Sequence, residues 1–353
     1  MKPLSARARA RVRGIAIFLG VAYPLTLVSL GLLMRYVGEG WAPTAVLLYL
    51  PRLGFAAPLP LVLLGLIAFQ QRRLLWVQAG SVAILVFFLM GFTLPWPHGA
   101  DRAAPTLRIL SYNIDSARAG AERIVEEIDA HAPDIVLLQE VGNPAQVEAL
   151  LRARYPVVES STQFIVASKY PVVATTDPEK LPYDGRLRSP RYLERQLDTP
   201  LGHIAVYDVH PLSPRDSFLK LRGGGLRHEI LSGRIFRGEN ARAVDENFGL
   251  RELQVETFAR AAAAETVPVI IAGDTNLPGL SRTFGRYLSG YTDGFRSASW
   301  GFGYTYPVGK HWPWMRLDRV LAGPPLRFVR FEVGTSTASD HHCVVADLQR
   351  ETP

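Results

Sequence analysis

The sequence predicts a membrane section of about three helices, followed by a soluble domain of α/β or α+β class. Only five charged residues occur from Gly14 to Leu94, whereas the chain after Asp101 is polar and charged. Beyond Asp101, apolar runs with helical spacing alternate with apolar runs of strand length. Polar residues also recur where the predicted strands end, and several such ends meeting in one place would form an active site.

The basic charge of the chain belongs to the membrane section. Nine basic residues and one acidic residue occur through Ala100, against 30 basic and 31 acidic residues after it, for a net charge of +7. Positive charges near membrane helices set their orientation. The soluble domain has no overall positive field, which disfavours, without excluding, a nucleic-acid partner. The single cysteine, Cys343, rules out an intrachain disulfide and is interpreted as a small buried residue.

Three segments are predicted to cross the membrane. Residues 15–37 exceed the about 20 apolar residues that a spanning helix needs, and they follow a cluster of arginines. This run is too long for a cleaved signal peptide. Residues 74–94 are a second clear span. Residues 54–69 are apolar but short, with Pro58 and Pro60, so a buried or re-entrant segment is the alternative there.

Charge sets the predicted orientation. The N-terminal arginines and the pair Arg72 and Arg73 should both be cytoplasmic, which requires an even number of crossings between them. The segments 15–37 and 54–69 supply two crossings, and 74–94 then leads outward. The sequence thus predicts a multi-pass protein of the cell inner (plasma) membrane. Residues 1–94 form the membrane section, 95–105 a linker rich in Pro, Gly and Ala, and 106–353 an extracytoplasmic (periplasmic) domain.

The soluble domain is predicted to alternate strands and helices. Helices are expected at 121–130, 144–154 and 250–264, and strands at 107–113, 134–139, 164–167, 204–209, 267–272, 317–321, 328–333 and 344–348. Residues 211–249 are predicted to form an arginine-rich insertion, either a lid, a surface for an anionic substrate, or a solvated loop. The aromatic stretch 300–314 is compatible with base stacking, with a membrane interface or with ordinary packing.

Six polar motifs lie at the ends of the predicted strands. They are SYNID at 111–115, DIVLLQE at 134–140, YDVH at 207–210, AGDTN at 272–276, RLDRV at 316–320 and SDHH at 339–342. Hydrolysis of a phosphoester requires neutralisation of the anionic phosphate, an activated water and a stabilised leaving oxygen. Carboxylate and amide oxygens are hard ligands that suit Mg²⁺ or Mn²⁺. The sequence holds no Cys/His cluster of the zinc type.

These motifs, in this order, resemble those of the endonuclease/exonuclease/phosphatase superfamily, which includes the deoxyribonuclease-I-like nucleases. The resemblance covers about residues 106–348, and GDTN and SDHH with QE upstream are together specific. It implies an α/β (α+β) four-layer sandwich, with two packed β-sheets flanked by helices, preceded here by N-terminal transmembrane helices. It also implies a divalent-metal-dependent phosphoric ester hydrolase, in a membrane-anchored member of bacterial type.

The resemblance implies a set of metal ligands. Glu140 is implied to hold Mg²⁺ or Mn²⁺, and an acid directly after an apolar strand is costly unless it is paired or coordinated. Asn113 is implied to support the metal or a phosphate oxygen. Asp340 is implied to be a supporting acid. Asp115 matches an accessory ligand, and an ordinary turn residue is an equal alternative.

The resemblance also implies a set of catalytic residues. Asp274 would orient or deprotonate the attacking water, and Asn276 would bind the phosphate. Asp318 would fix the ring of His341, whose role as a base or as a cation on the phosphate stays open. His210 would bind phosphate or protonate the leaving group. The implied substrate contacts are therefore Asn113, Asn276 and His210.

Three functions remain open at this point. The first is a membrane-anchored phosphoesterase acting on a lipid headgroup or a small phosphoester, and the second is an extracytoplasmic nuclease acting on DNA or RNA. The third is a non-catalytic membrane module, which the complete residue set disfavours. The membrane tether and the near-neutral domain favour the first slightly. The predicted partners are the phosphoester substrate and the bilayer, with no obligate protein partner evident.

Overall fold

The computed structural model describes residues 5–95, 101, 103–220, 239–309 and 312–351. The chain divides into two compact units, Met1–Phe92 and Thr93–Pro353. Part of the predicted linker, residues 96–100 and 102, lies outside the described residues.

The first unit consists of apolar helices. Helix α1 (Ala6–Leu32) continues through a π-helical turn (Leu33–Val37) into a 3-10 turn (Gly38–Gly40), and α4 (Arg72–Ala83) continues through a π-helical segment (Ile84–Leu89). Each of these two continuous helices, Ala6–Gly40 and Arg72–Leu89, is long and apolar enough to cross a membrane. Between them lie α2 (Ala42–Tyr49), a 3-10 segment (Arg52–Ala56) and α3 (Leu59–Ala68).

The middle segment differs from the span predicted at 54–69. Helix α2 and the helical segment Arg52–Ala68 are bent by 97° with respect to each other, which fits a broken span or a re-entrant loop. Helix α3 alone has 10 residues, so it measures about 15 Å, half of the roughly 30 Å hydrocarbon core. The last helix also ends at Leu89, five residues before the predicted Leu94. Two spans are therefore supported by length and composition, and a third only if the bent pair counts as one.

Arg52 is buried in this apolar unit because its guanidinium caps two helix ends. It donates hydrogen bonds to the carbonyl oxygens of Leu89 at 2.6 Å and Leu48 at 3.0 Å. Carbonyls in the last turn of a helix have no intrahelical partner. One side chain therefore satisfies carbonyls near the ends of α2 and of the last helix.

The second unit contains two six-stranded mixed sheets. Sheet 1 has the order β13-β14-β1-β2-β4-β3, and sheet 2 has the order β11-β12-β10-β9-β8-β5. Sheet 1 comprises β1 (Leu107–Asn113), β2 (Ile135–Gln139), β3 (Val157–Ser161), β4 (Phe164–Ser168), β13 (Leu326–Val333) and β14 (Val344–Arg350). Sheet 2 comprises β5 (Val172–Thr176), β8 (Tyr192–Thr199), β9 (Gly202–Val209), β10 (Val269–Asp274), β11 (Thr292–Asp293) and β12 (Asp318–Ala322). A separate hairpin pairs β6 (Leu181–Tyr183) with β7 (Arg186–Arg188).

The longest helices cover the outer faces of the two sheets, whereas Phe295 of α10 packs into the core between them. The helices of this unit are α5 (Ala121–His131), α6 (Pro144–Arg152), α7 (Arg215–Lys220), α8 (Glu239–Ala263), α9 (Arg282–Tyr287) and α10 (Gly294–Ala298). One apolar core joins the inner faces of both sheets, for example Ile109 and Leu137 with Val206 and Ile270. A second core packs α5 and α6 on sheet 1, and a third packs α8 on sheet 2. The layers are thus helix, sheet, sheet and helix, which confirms the four-layer sandwich.

This unit differs from the sequence prediction, which did not include β3, β5, β8 or β11. Helix α8 begins by Glu239 rather than at 250, because Val244 and Phe248 continue its buried stripe at a spacing of four residues. The insertion predicted at 211–249 is therefore partly helical, and its residues 221–238 lie outside the described residues. Strand β8 was not predicted because it contains charged residues, but Arg195 is buried and pairs with Glu159 at 2.5 Å.

Candidate active site

The pairing of β1 with β2 places the first two predicted site residues side by side. These strands are parallel, and Asn113 pairs with Gln139, so Glu140 is the next residue beyond the same edge. Glu140 has a φ of 54°, and Asn113 is 1% exposed. The left-handed backbone of Glu140 turns the chain sharply at the strand end.

The pairing of sheet 2 delivers the other side chains. Val209 pairs with Gly273 in the parallel pair β9 and β10, so His210 and Asp274 follow in step. Asp274 pairs directly with Asp318 across β10 and β12. His341 comes from the loop before β14 of sheet 1, and its ring lies against Tyr306 with centroids 4.6 Å apart. The two sheets thus bring these side chains to one shared edge.

Gly273 is required for this convergence. Its φ is 145°, and a Cβ at this position would lie 2.0 Å from the carbonyl oxygen of Val209. Only glycine permits the backbones of β9 and β10 to approach this closely at the point where His210 and Asp274 leave the sheet.

Glu140 and His210 form a contact between the two sheets. Glu140 Oε1 lies 3.3 Å from His210 Nε2, and the Glu140 side chain is 38% exposed. The contact with His210 is the largest influence on Glu140. Together with a hydrogen bond from Asn113, it outweighs partial burial and lowers the pKa of Glu140 to about 2. Glu140 is therefore an anionic, solvent-accessible oxygen donor at neutral pH.

Asp274 occupies the centre of the group. Its Oδ1 accepts a hydrogen bond from the backbone of Asn276 at 2.9 Å, and its Oδ2 accepts one from Asn113 Nδ2 at 3.1 Å. Its Oδ2 also lies 3.7 Å from Nε2 of both His210 and His341, longer than a hydrogen bond. Burial raises the pKa of Asp274, an effect that His341 opposes. This carboxylate is thus oriented by two asparagines and has two imidazoles within reach.

Asp318 and His341 form a buried pair. Asp318 Oδ2 lies 2.8 Å from His341 Nδ1, and the two residues are 0% and 5% exposed. Burial opposes a charge on His341, but the carboxylates of Asp318 and Asp274 outweigh it and raise the pKa of His341 to about 10. These two carboxylates therefore favour the charged form of the His341 ring.

Asn276 lies on the turn after Asp274. Its φ is 49°, and its Nδ2 donates a hydrogen bond to the carbonyl oxygen of Pro211 at 3.0 Å. Its own carbonyl accepts from Arg251 at 3.3 Å. Asn276 is 4% exposed, and these bonds fix its amide beside Asp274 and next to the loop that follows His210.

The carboxylates around Glu140 fit a hard divalent cation. Burial, followed by the neighbouring charge of Glu140, raises the pKa of Asp115. Burial raises the pKa of Asp340 as well, with further contributions from Asp115 and Glu140. Neighbouring carboxylates that repel one another are relieved by a cation, and oxygen donors of this kind suit Mg²⁺ or Mn²⁺. Glu140, Asp115 and Asp340 are thus the residues that would hold the metal, with Asn113 behind them.

A second metal-compatible group lies in the same site. Asp274, Asp318 and His341 each offer a ligand atom, and these atoms lie within 4.8 Å of one another. However, Nδ1 of His341 is already bonded to Asp318 Oδ2. This group therefore overlaps the buried pair of Asp318 and His341.

The structure adds residues that the motifs did not reveal. Gln163 Oε1 lies 2.8 Å from His210 Nδ1, while the Gln163 carbonyl accepts from the backbone of Val141. Gln163 lies in the turn between β3 and β4, outside any motif, so nothing in the sequence marks it. Ser339 donates to the carbonyl of Asn113 at 2.7 Å and accepts from the backbone of His341 at 3.2 Å. Ser339 was part of SDHH, but its positioning role was not predicted.

A buried polar contact lies between the two sheets next to the site. Gln139 Nε2 donates to Asp208 Oδ1 at 2.6 Å and to Ser111 Oγ at 3.2 Å. Gln139 precedes Glu140, and Asp208 precedes His210 by two residues. The contact therefore links the two sheets one layer below the site.

Comparisons with known proteins identify the family of this chain. A family model described as "Endonuclease/Exonuclease/phosphatase family" matches residues 110–341. No curated protein matches the chain.

The chain is also similar to solved structures. An endonuclease/exonuclease/phosphatase from Beutenbergia cavernae is 21% identical, with 69% of this chain and 72% of that chain covered and a TM-score of 0.47. Truncated Caenorhabditis elegans TDP2 is 18% identical, with 69% and 97% covered and a TM-score of 0.47. An AP endonuclease from Archaeoglobus fulgidus is 17% identical, with 68% and 98% covered and a TM-score of 0.48.

Proposed function

The chain belongs to the endonuclease/exonuclease/phosphatase family and is a divalent-metal-dependent phosphoric ester hydrolase, and we propose that it is a membrane-anchored, Mg²⁺-dependent enzyme that attacks its substrate with water. The observation that carries this proposal is the convergence of Glu140, His210, Asp274, Asp318 and His341 on one edge of the sandwich. Residues 106–353 would form the catalytic domain, and the helices before residue 95 the anchor.

The metal and the protein side chains would both stabilise the negative charge of the phosphate. A Mg²⁺ ion held by Glu140, Asp115 and Asp340 would supply Lewis-acid neutralisation of the phosphate. His341 would contribute a positive charge of its own, because Asp318 favours the protonated form of its ring. Asn113 and Asn276 would donate amide hydrogens to phosphate oxygens.

Proton transfer would fall to Asp274 and His210. Asp274 is oriented by Asn113 and Asn276, and burial raises its pKa towards that of a useful base. It would take a proton from the attacking water. His210 keeps Nε2 towards Glu140 and Asp274 because Nδ1 bonds Gln163. It would bind a phosphate oxygen or protonate the leaving group.

A lipid or small phosphoester is favoured over nucleic acid by two observations. The catalytic part of the chain has no net positive field, with 30 basic and 31 acidic residues after Ala100. Exposed aromatics also lie in the loop 300–314, where Trp300 is 74% exposed and Trp312 91% exposed. Gly301 in this loop pairs with Thr93, which follows the last apolar helix by four residues. Tryptophan is enriched at membrane interfaces, so this loop would contact lipid.

The substrate class can be tested with the full chain in detergent and Mg²⁺. We expect turnover of phospholipid in vesicles to exceed that of plasmid DNA, RNA and inositol phosphates. The double variant Trp300→Ala, Trp312→Ala should lower turnover on vesicles and leave a soluble chromogenic phosphodiester unaffected. Leu187→Ala is the matched control, since Leu187 is 69% exposed elsewhere. Cleavage of DNA or RNA with no lipid turnover would support the alternative, an extracytoplasmic nuclease. No turnover of any phosphoester, with metal bound and the fold intact, would leave the non-catalytic module.

The anchor and its orientation need a separate test. We propose three crossings of the inner (plasma) membrane and a periplasmic catalytic domain, which requires the bent pair Ala42–Tyr49 and Arg52–Ala68 to act as one span. With only two crossings, the domain would instead be cytoplasmic. Reporter fusions after Gln70 and Pro353 should report cytoplasm and periplasm, respectively. A reporter after Pro353 that is active only in the cytoplasm would contradict the three-crossing topology.

A further inference from the structure

A second cluster of metal-ligand side chains lies on the outer face of sheet 1, apart from the active site. Glu127 and His131 lie one turn apart on α5, and Cys343 immediately precedes β14. One ligand atom from each of the three lies within 4.8 Å of the others. The chain has one cysteine, and it lies in this cluster.

The spacing between Glu127 and His131 is long for a direct contact and is compatible with a metal ion. Glu127 Oε1 lies 3.4 Å from His131 Nε2 and 3.4 Å from Cys343 Sγ. A tetrahedral zinc ion, with bonds of about 2.0 Å to N and O and about 2.3 Å to S, holds its ligand atoms roughly 3.3–3.5 Å apart. A direct N–H···O hydrogen bond usually measures about 2.9–3.0 Å. The contact between Glu127 and His131 is thus long for a hydrogen bond and right for one edge of a tetrahedron.

The orientation of His131 also favours metal binding. Its Nδ1 lies 2.8 Å from Glu332 Oε1, at the end of β13. If Nδ1 carries the proton, the free electron pair of Nε2 points towards Glu127. Metal-ligating histidines almost always donate their other ring N–H to a carboxylate or a carbonyl in this way.

Gly334 lies close to two of the ligand atoms, and solvent reaches the cluster. A Cβ on Gly334 would lie 2.4 Å from Cys343 Sγ and 2.6 Å from Glu127 Oε1, so only glycine lets the backbone approach both atoms here. The side chains of Glu127 and His131 are 15% and 18% exposed, which gives an ion access from solvent.

We propose that Glu127, His131 and Cys343 bind a zinc ion, with Glu332 holding the His131 ring. A ligand set with a thiolate and an imidazole selects Zn²⁺ over the Mg²⁺ that suits the oxygen ligands of the active site. Because Cys343 lies two residues after His341, zinc would also tie α5 to the loop that carries His341. The fourth coordination position would be left to solvent.

The single cysteine makes the test specific. Only Cys343 can supply a thiolate, so the thiolate-to-metal charge-transfer absorption of Cd²⁺ or Co²⁺ reports on this site alone. With excess Mg²⁺ and the full chain in detergent, we expect this absorption to saturate at one equivalent and to disappear when Zn²⁺ is added. His131→Ala and Glu127→Gln should weaken Cd²⁺ binding at least about 10-fold, and Glu332→Gln about 10-fold to 100-fold. Glu126→Gln, an exposed neighbour with the same loss of charge, should bind as the wild type does.

Two results would overturn the zinc site. One is the absence of thiolate charge transfer at saturating Cd²⁺ in the folded wild type. The other is unchanged Cd²⁺ affinity in His131→Ala and Glu127→Gln, which would mean that Cys343 acts alone. If these variants do not fold, the wild type decides by alkylation of Cys343, which Zn²⁺ should slow at least about 10-fold, in line with the loss expected from a missing ligand. An alkylation rate that Zn²⁺ does not change would reject the proposal.

Discussion

His210 and His341 face the same carboxylate oxygen, but different partners hold them. The Nε2 atom of each ring lies 3.7 Å from Asp274 Oδ2, and the Nδ1 atom of each lies 2.8 Å from its partner. The partner of His341 is the carboxylate of Asp318, whereas the partner of His210 is the amide of Gln163. Both histidines are almost fully buried, since His210 is 2% exposed and His341 is 5% exposed. Burial therefore does not distinguish them.

The difference in partner separates the roles of the two imidazoles. Asp318 and Asp274 together raise the pKa of His341 to about 10, so this ring carries a permanent charge at neutral pH. The amide of Gln163 orients His210 without bringing a charge. His210 has instead Glu140 at 3.3 Å on its other side. The partners on Nδ1 therefore differ in charge, with a carboxylate beside His341 and an uncharged amide beside His210.

Removing Glu140 is expected to have the largest effect on turnover. Glu140 is the proposed metal ligand that contacts His210. Glu140→Ala should abolish turnover and weaken Mg²⁺ binding, measured by activity and by calorimetry, without lowering the melting temperature. Glu122→Ala on α5 is an exposed control with the same change of side chain. Unchanged turnover in Glu140→Ala, or full activity in excess chelator, would exclude a metal role for this side of the site.

On the other side of the site, Asp318 should act only through His341. Asp318→Asn and His341→Ala should each slow turnover by roughly 10²–10⁴, the range for a positioned acid or base. Groups that act as a unit are not additive, so the double variant should be little slower than His341→Ala alone. Kinetics and thermal melts on the four proteins test this. If the losses of turnover multiply in the double variant, Asp318 and His341 do not act as a coupled pair. A fall in melting temperature without a loss of turnover would mean that Asp318 is a structural acid.

The sequence predicted the members of this site better than their partners. His210, Asp274, Asp318 and His341 occur beside strand ends in recognisable motifs; strand pairing in sheet 2 brings the first three together, and packing of sheet 1 adds His341. Gln163 lies in a turn with no motif, so its contact with His210 depends on how β4 packs beside β9 in space. The charge of His341 depends on the sum of two carboxylates against burial, which a sequence does not contain.

The same limit applies to the remainder of the fold. Alternating apolar runs predicted most strands of both sheets, but β8 was missed because its buried charges are satisfied by partners distant in sequence, such as Glu159 for Arg195. The ligand cluster around Cys343 was missed for the same reason, since Glu127 and Cys343 are 216 residues apart. A pattern search finds ligands only when they are close in sequence.

Gln163 should have a smaller effect than Asp318, because it contributes orientation and no charge. One neutral hydrogen bond is worth about 0.5–1.5 kcal/mol, so Gln163→Ala should lower kcat about 2-fold to 10-fold with KM nearly unchanged. Gln146→Ala, an exposed glutamine on α6, is the control. A loss of kcat as large as that of Asp318→Asn would contradict the expectation that an uncharged partner of a histidine contributes less than a charged one.

At Asp208 the expected effect is on stability rather than on turnover. Asp208 is a buried acid that has no imidazole beside it among the described residues. Its only hydrogen bond there comes from Gln139 at 2.6 Å, and burial raises its pKa well above the ordinary value. Its Oδ2 and the Oε1 of Gln139 are both buried and unpartnered in the described structure, as expected if Asp208 carries a proton that Gln139 Oε1 accepts. The native state then keeps a proton that the unfolded state loses above about pH 3.9. Stability therefore falls as pH rises from there towards the native pKa, by up to about 1.4 kcal/mol per pH unit.

Asp208→Asn cannot ionise, and its amide offers Gln139 both an acceptor and a donor. The variant should lose this part of the pH dependence and melt above the wild type at pH 7–8, in melts of the full chain in detergent from pH 5 to 8. An unchanged pH slope would show that Asp208 is ionised in the folded protein, and that burial without a cation does not keep an acid neutral here.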